Sequence, residues 1–200
     1  MHLLIVNHPS RQSLTYSIYS SVIHRLSKKG VAFKCLYLDE YDMNFYLTKG
    51  EWDSVVYSIV SEEQKNKEID KLIEEVREAE TISFFFPIWW YGMPALLKGW
   101  FDKILIQAVA GEAISASLKS KENKLKFLKK INVITSCDGN EESMKELFTS
   151  KGILALFYRL EDFSINPIHV RHYNLYNVYR DVNDEVEAIV SSLVKGFNNG

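Results

Sequence analysis

The stretch Phe85 to Asp102, FFPIWWYGMPALLKGWFD, sets three adjacent aromatic rings, Trp89, Trp90 and Tyr91, between a proline and a glycine. Adjacent rings cannot all point to one face of a strand or helix, so the run suits a site that receives a flat ligand. Gly92 permits close backbone approach there. The ordinary alternative is that the rings belong to the core. A second group lies at Asn7 to Thr15, NHPSRQSLT, where His8, Ser10, Ser13 and Thr15 offer side-chain donors just where a helix begins. A helix start adds its own unpaired N–H groups, and a phosphate would be well held there. Ser13 and Thr15 are equally good helix caps, and a lone histidine is more often a packing residue. The third group is Thr135 to Gly139, TSCDG, either an amide-lined loop or a plain turn before a capped helix.

These segments need a frame that brings them together. Leu3–Asn7 is an apolar strand pattern, and Ser13–Lys29 follows as a helix closing at Gly30, where a left-handed cap is expected. Val31–Leu38 reads as the second strand and Asp39–Val60, which has no clean period, as a long irregular connection. Glu62–Glu80 is a charged helix with one buried stripe of Ile69, Leu72, Ile73 and Val76. Thr81–Phe86 is short, β-branched and aromatic, as a strand buried on both faces should be. Pro87 ends it. Pro94 then opens a helix carrying Leu97, Trp100, Phe101, Ile104 and Leu105 at helical spacing. A lysine-rich link from Leu118 to Lys130 precedes the strand Ile131–Thr135. Glu141–Tyr158 is helical with a break near Gly152, Phe163–Val170 is the last strand, and Asn183–Phe197 the last helix. This α/β order implies a three-layer sandwich, a five-stranded parallel sheet of order 2-1-3-4-5 with helices on both faces. The loops after strands 1, 3 and 4 then converge at the switch point of the sheet, where ligands sit.

Composition narrows the function. With 200 residues, 46% of them hydrophobic, a single domain over residues 1–200 is expected. The net charge of -2 gives no electrostatic reason to expect nucleic acid or an anionic membrane as partner. No stretch approaches the roughly 20 apolar residues of a membrane span, and a strand pattern stands where a leader would be, so a cytoplasmic protein is expected. Cys35 and Cys137 lie far apart without metal-ligand spacing, so free thiols are expected and no metal site. No glycine-rich dinucleotide fingerprint, P-loop, Ser/His/Asp order or paired-carboxylate motif is present.

The segment after the third strand resembles the flavin-binding stretch of the NAD(P)H:quinone oxidoreductases of the flavodoxin-like superfamily, the group that includes the bacterial modulator of drug activity B. The shared pattern, P-x-x-W-[YF]-x-x-P-A-x-L-K-x-W-x-[DE], is matched by Pro87, Trp90, Tyr91, Pro94, Ala95, Leu97, Lys98, Trp100 and Asp102. The resemblance runs from the first strand to the last helix and is strong here and at the amino terminus. It implies a flavodoxin-like fold binding FAD, with FMN as the alternative. His8, Ser13, Leu14 and Thr15 would then contact the phosphate or pyrophosphate, although the family often has Asn where Thr15 stands. Pro87, Ile88, Trp89, Trp90 and Tyr91 would frame the ring system, with the backbone of Ile88 to Tyr91 bonding its polar edge. Thr135, Ser136, Cys137, Asp138 and Gly139 would meet its pyrimidine side, where relatives carry T-T-G-G; Cys137 and Asp138 in place of glycines would crowd that loop.

The implied activity is a ping-pong two-electron transfer from NAD(P)H through the flavin to a quinone or similar planar acceptor, in a homodimer. The tyrosine and histidine that some relatives place after this loop are missing from NEESMKELF. His169, His172, Tyr173 and Tyr176 read as a polar surface loop after the last strand, or as the lining of a substrate mouth or subunit contact. Lysines 119, 121, 124, 126, 129 and 130 could attract an NADPH phosphate, or form a solvated loop. Rival readings are an ancillary flavoprotein of a membrane transporter, a flavodoxin-type electron carrier, and a scaffold that has lost its cofactor.

Overall fold

The computed structural model describes residues 1–41, 44, 46–57, 66–110, 125–149, 152–164 and 166–197. Five strands, β1 (His2–Val6), β2 (Phe33–Tyr37), β3 (Thr81–Pro87), β4 (Lys130–Ser136) and β5 (His169–Leu175), form one sheet in the order β2-β1-β3-β4-β5. Every pairing is parallel, with Val6 opposite Phe85 and Phe85 opposite Ile134 across the centre. Strand alternation divides the core between two faces. Leu3, Ile5, Ile82, Phe84, Phe86, Ile131 and Val133 lie in one apolar cluster, and Leu4, Val6, Phe85, Ile134 and Leu175 in the other. The first is covered by α3 (Lys67–Glu78) and by the run formed of α4 (Ala95–Trp100), a π-helical turn (Phe101–Leu105) and α5 (Ile106–Ala110). The second is covered by α1 (Leu14–Lys28), where Tyr16, Ile18, Tyr19, Val22 and Leu26 are buried, and by a terminal helix over Asn183–Phe197. This is the expected three-layer α/β arrangement.

Helix ends follow their local chemistry. Gly30 takes a left-handed φ of 69°, and the Gly30 and Val31 N–H groups close on the carbonyls of Ser27 and Leu26, the Schellman pattern expected where α1 stops. Helix α3 starts at an Asn66 cap, inside the charged segment read as helical; residues 62–65 lie outside the described residues. Pro94 caps α4 from one position earlier than expected.

The segment read as irregular from Asp39 to Val60 contains a helix, α2 (Lys49–Tyr57). Thr48 and Glu51 form a reciprocal capping box: the Thr48 N–H donates to the Glu51 carboxylate at 2.8 Å and the Glu51 N–H to Thr48 Oγ1 at 3.3 Å. The signal T-K-G-E was visible in the sequence, but the β-branched residues after it hide a helical period. Helix α2 is anchored by Lys103, whose side chain is 7% exposed and which reaches Glu51 at 2.9 Å and the Asn44 carbonyl at 2.6 Å.

The last strand lies later than expected, at His169–Leu175 instead of Phe163–Val170. Phe163 ends a short 3-10 turn, Leu160–Phe163, that follows the helix α7 (Ala155–Arg159). As an edge strand with one neighbour, β5 reads HVRHYNL, so its apolar signal is weak and the apolar residues before it drew the assignment. His169, His172 and Tyr173 are therefore on β5 and not on a loop after it. The helical region after β4 is broken, as expected: α6 spans Glu141–Met144 and α7 begins only at Ala155. The terminal helix, labelled α8, matches its expected bounds. Of the lysine-rich link, residues 118–124 lie outside the described residues.

Candidate functional site

The carboxyl ends of β1, β3 and β4 are adjacent in the sheet, and their three loops touch. Asn7 extends β1, its N–H donating to the Phe85 carbonyl at 3.0 Å. The loop beyond is pinned by a residue that the sequence did not single out: the Asp39 carboxylate accepts from Asn7 Nδ2 at 3.3 Å and from the His8 N–H at 3.0 Å. His8 Nδ1 accepts the Ser10 N–H at 3.0 Å, which leaves Nε2 as the protonated nitrogen of a neutral ring. Arg11 was also overlooked. Its guanidinium lies 5.1 Å from the Tyr16 ring centre and 5.0 Å from that of Tyr37, and it ion-pairs with Glu40 beside the start of α1.

Ser13 is the N-cap of α1, its hydroxyl accepting the Tyr16 N–H at 3.2 Å. That satisfies one of the orphan donors of the first turn. Among the described residues the N–H groups of Leu14 and Thr15 meet no acceptor, so they remain for an anion. The Thr15 side chain is buried and its hydroxyl lies 3.1 Å from that of Ser136. One of these two hydroxyl protons is used in that bond, leaving a single O–H between them for anything else.

After β3 the chain makes a tight turn. The Trp89 N–H donates to the Gly92 carbonyl and the Gly92 N–H to the Trp89 carbonyl, both at 3.0 Å. Trp90 and Tyr91, the two central residues, have φ of 49° and 58°. Positive φ at both centres is the mark of a type I′ turn, which ordinarily carries Asn or Gly there. In bulky residues it costs about 1–2 kcal/mol each. The rings are not core: Trp89 is 44% exposed, Trp90 98% and Tyr91 68%. Strain of this kind at exposed aromatic residues is what a ligand-holding turn shows. The backbone donors expected here are reduced in number, because the Ile88 N–H is bound to the Ser136 carbonyl at 2.8 Å and that of Trp89 closes the turn. Among the described residues the N–H groups of Trp90 and Tyr91 meet no acceptor. Pro87, the last residue of β3, is buried and contributes no donor.

Thr135 and Ser136 end β4, so the loop proper is Cys137 to Gly139. Cys137 does not crowd it. The thiol is buried, receives Asn174 Nδ2 at 3.4 Å and donates to the Gly139 carbonyl at 3.7 Å, and burial raises its pKa. The Cys137 N–H is taken by the Leu175 carbonyl at 2.9 Å, whereas those of Asp138 and Gly139 meet no acceptor among the described residues. A Cβ on Gly139 would lie 2.7 Å from Met144, so glycine is the residue that fits without moving that side chain. Asp138 is exposed.

Behind the loop lies a partly buried polar group. Thr135 donates to Asn174 Oδ1 at 2.6 Å, so the 2.9 Å contact with His172 Nε2 has the imidazole as donor. His172 stacks on Phe148 with ring centres 4.5 Å apart, and burial depresses its pKa to about 4. Tyr176 meets the same Phe148 edge-on at 6.0 Å. Three contacts join the loops: the His8 and Trp89 rings meet edge to face at 5.9 Å, Thr15 meets Ser136, and the Ile88 N–H donates to the Ser136 carbonyl. The result is a set of N–H groups without acceptors among the described residues at one helix start, with exposed rings beside them.

The model of the family described as "Flavodoxin-like fold" matches residues 1–191. Over 122 residues the chain is 30% identical to "NAD(P)H dehydrogenase [quinone] 1" of Rattus norvegicus, an alignment covering 54% of this chain and 44% of that protein. The chain thus matches less than half the length of that relative. It superposes with a TM-score of 0.72 and 20% identity on an "NAD(P)H:quinone oxidoreductase from Methanothermobacter marburgensis", covering 100% of this chain and 95% of that one. The FMN-dependent NADH-azoreductase of Bacillus anthracis, solved in complex with FMN, superposes with a TM-score of 0.71 and 12% identity, covering 98% of this chain and 97% of that one. At these identities the structural likeness speaks for the fold.

Proposed function

Because the chain belongs to the flavodoxin-like fold family, we propose that it is a flavin-dependent NAD(P)H oxidoreductase that reduces quinones or similar planar acceptors by two-electron hydride transfer, with ping-pong kinetics. The observation that carries the reading is the strained, exposed Trp90–Tyr91 turn held against the phosphate-type loop of β1 through His8 and Trp89. The names borne by the rat relative and by the archaeal structure support it.

The residues present fit a flavin. Leu14 and Thr15 offer two unpaired N–H groups to its phosphate, with the α1 start favouring negative charge. His8 Nε2–H and the remaining hydroxyl proton of the Thr15–Ser136 pair are further donors. Trp90 and Tyr91 supply free N–H groups and two exposed ring faces for the head, while Asp138 and Gly139 offer amides from the β4 loop. A bound flavin would supply the two-electron hydride chemistry between nicotinamide and acceptor. The residues of this chain orient it, and the exposed rings cover its face from water.

FAD is the expected form and FMN the alternative, the latter being the group bound in the azoreductase of the same fold. One pocket receives nicotinamide and acceptor in turn. A homodimer closing over the exposed aromatic turn, in the cytoplasm, completes the reading. Among the described residues no helix is long and apolar enough to cross a membrane. The test is to incubate purified protein with FAD or FMN, remove unbound flavin, and add NADPH or NADH anaerobically. A retained yellow chromophore that bleaches on nicotinamide addition is expected; colourless protein after both incubations overturns the reading.

A further inference from the structure

A second concave site lies at the other end of the sheet. A cavity of about 500 Å³ sits beyond the amino ends of β1, β3, β4 and β5, with His2, Lys130, His169, Arg171, Lys195 and Phe197 in its wall. Lys129 also lines it, and Glu80 is the sole carboxylate of its lining among the described residues. Glu80 is already engaged, by the Met1 ammonium at 3.0 Å and by Lys129 at 3.8 Å. Among the described residues Lys130, Arg171 and Lys195 meet no carboxylate. Among the described residues, cations brought from three separate elements thus converge on one hollow whose single carboxylate, Glu80, is paired elsewhere, in a chain whose net charge is -2.

Part of this has a structural reason. Lys130 Nζ donates to the Gly196 carbonyl at 2.6 Å, where a cation complements the carbonyl end of α8. That end carries only about half an elementary charge, so it does not answer Arg171 and Lys195 as well. Burial, and after it Arg171, lowers the pKa of Lys130; burial, and after it the Met1 ammonium, lowers that of His2. His2 Nδ1 is buried without a partner. The His2 ring packs edge to face on Phe197 at 4.6 Å, giving the cavity an apolar wall beside its cations. A walled hollow lined by one sign of charge focuses field and gathers anions. Its volume falls in the range of small-molecule sites, about 300–1,000 Å³.

We propose that this cavity is a second ligand site, for a phosphorylated small molecule, with Arg171, Lys130 and Lys195 taking the phosphate oxygens and the His2–Phe197 wall taking the organic part. Arg171 presents the planar fork that matches phosphate, and the two lysines act as point charges. Strands β3 and β4, each of seven residues, separate it from the aromatic turn by about 20 Å at about 3.3 Å per residue. Occupants of the two ends therefore do not compete for space.

The experiment is titration of the full chain with inorganic phosphate and with phenyl phosphate, followed by calorimetry and by amide NMR shifts. One equivalent per chain is expected, with the largest shifts around His2, Lys130, Arg171 and Gly196. Phenyl phosphate binding more tightly than inorganic phosphate shows that the apolar wall takes part; equal affinities overturn that part and leave a bare anion site. Arg171→Gln with Lys195→Gln should weaken binding at least tenfold, Lys195→Arg should retain it, and Ser13→Ala at the far end should leave it unchanged. Lys195→Gln alone, at an exposed position, serves where the double variant does not fold. Absence of binding at millimolar probe, an unchanged affinity in Lys195→Gln, or shifts confined to the start of α1 would each overturn the proposal.

Discussion

The hydroxyls of Thr15 and Ser136 lie 3.1 Å apart although 121 residues separate them in the chain, so the first turn of α1 is tied directly to the end of β4. Both were expected to contact a ligand; in the structure one of their two hydroxyl protons is used between them. Thr15→Val keeps the shape but leaves the buried Ser136 hydroxyl without this partner. The expected result is a loss of about 1–2 kcal/mol in denaturant unfolding, restored by Thr15→Ser. A Val variant as stable as the parent would show that the pair contributes nothing.

The aromatic turn predicts an unusual combination. Trp90 is 98% exposed at a left-handed φ, so Trp90→Gly removes no core contact and relieves strain. Unfolding stability should be unchanged or raised by up to about 1 kcal/mol, the relief being partly offset by the freer unfolded chain. Flavin occupancy after gel filtration should fall at the same time. A stability loss above about 2 kcal/mol with occupancy intact would place the ring in the core, the ordinary reading of such residues.

His172 predicts an acid-dependent weakening. Its pKa is depressed to about 4 in the folded chain, against an ordinary value of 6.5. The unfolded chain therefore takes up the proton first as pH falls, and folding loses stability from pH 6.5 down to about 4, below which the loss is complete. At about 1.4 kcal/mol per unit the whole effect is at most about 3.5 kcal/mol, less for solvent screening. His172→Gln, which keeps a donor for Thr135, should flatten that part of the stability–pH curve. An identical slope in the variant would assign it to other groups.

Lys103 and Glu51 form a mostly buried pair at 2.9 Å. Glu51→Ala strands the lysine charge and should cost about 3 kcal/mol or more in thermal or denaturant unfolding. Adding Lys103→Met removes the stranded charge and should recover most of the loss. If the double variant is no more stable than Glu51→Ala, the pair does not act through that charge.

Legibility in the sequence followed the strength of local patterns. Strand β3 is buried at every position, and its apolar run could be read almost to the residue. The Gly30 cap was equally plain. Helix α2 was hidden because its start rests on a short capping box and its anchor, Lys103, comes from far along the chain. At the edge of the sheet β5 needs little apolar surface, so HVRHYNL resembles a loop. The three site loops were identifiable from their residue types, but Asp39 and Arg11 were not, since their roles arise from a neighbouring strand end folding over the first loop. The basic hollow was legible only in part: Lys129 and Lys130 stood among the lysines that could attract a phosphate, but Arg171 and Lys195 join them from distant segments, and the chain is nearly neutral as a whole.

Cys137 stands immediately after β4, in the loop proposed to face the cofactor, with its sulfur turned inward and kept protonated by burial. Quinones are electrophiles that arylate exposed thiolates as readily as they accept electrons. A sulfur that is covered and uncharged at neutral pH gives them no nucleophile to trap. A thiol at this position is therefore compatible with the proposed turnover, since a reactive acceptor would enter and leave without forming an adduct with its own host.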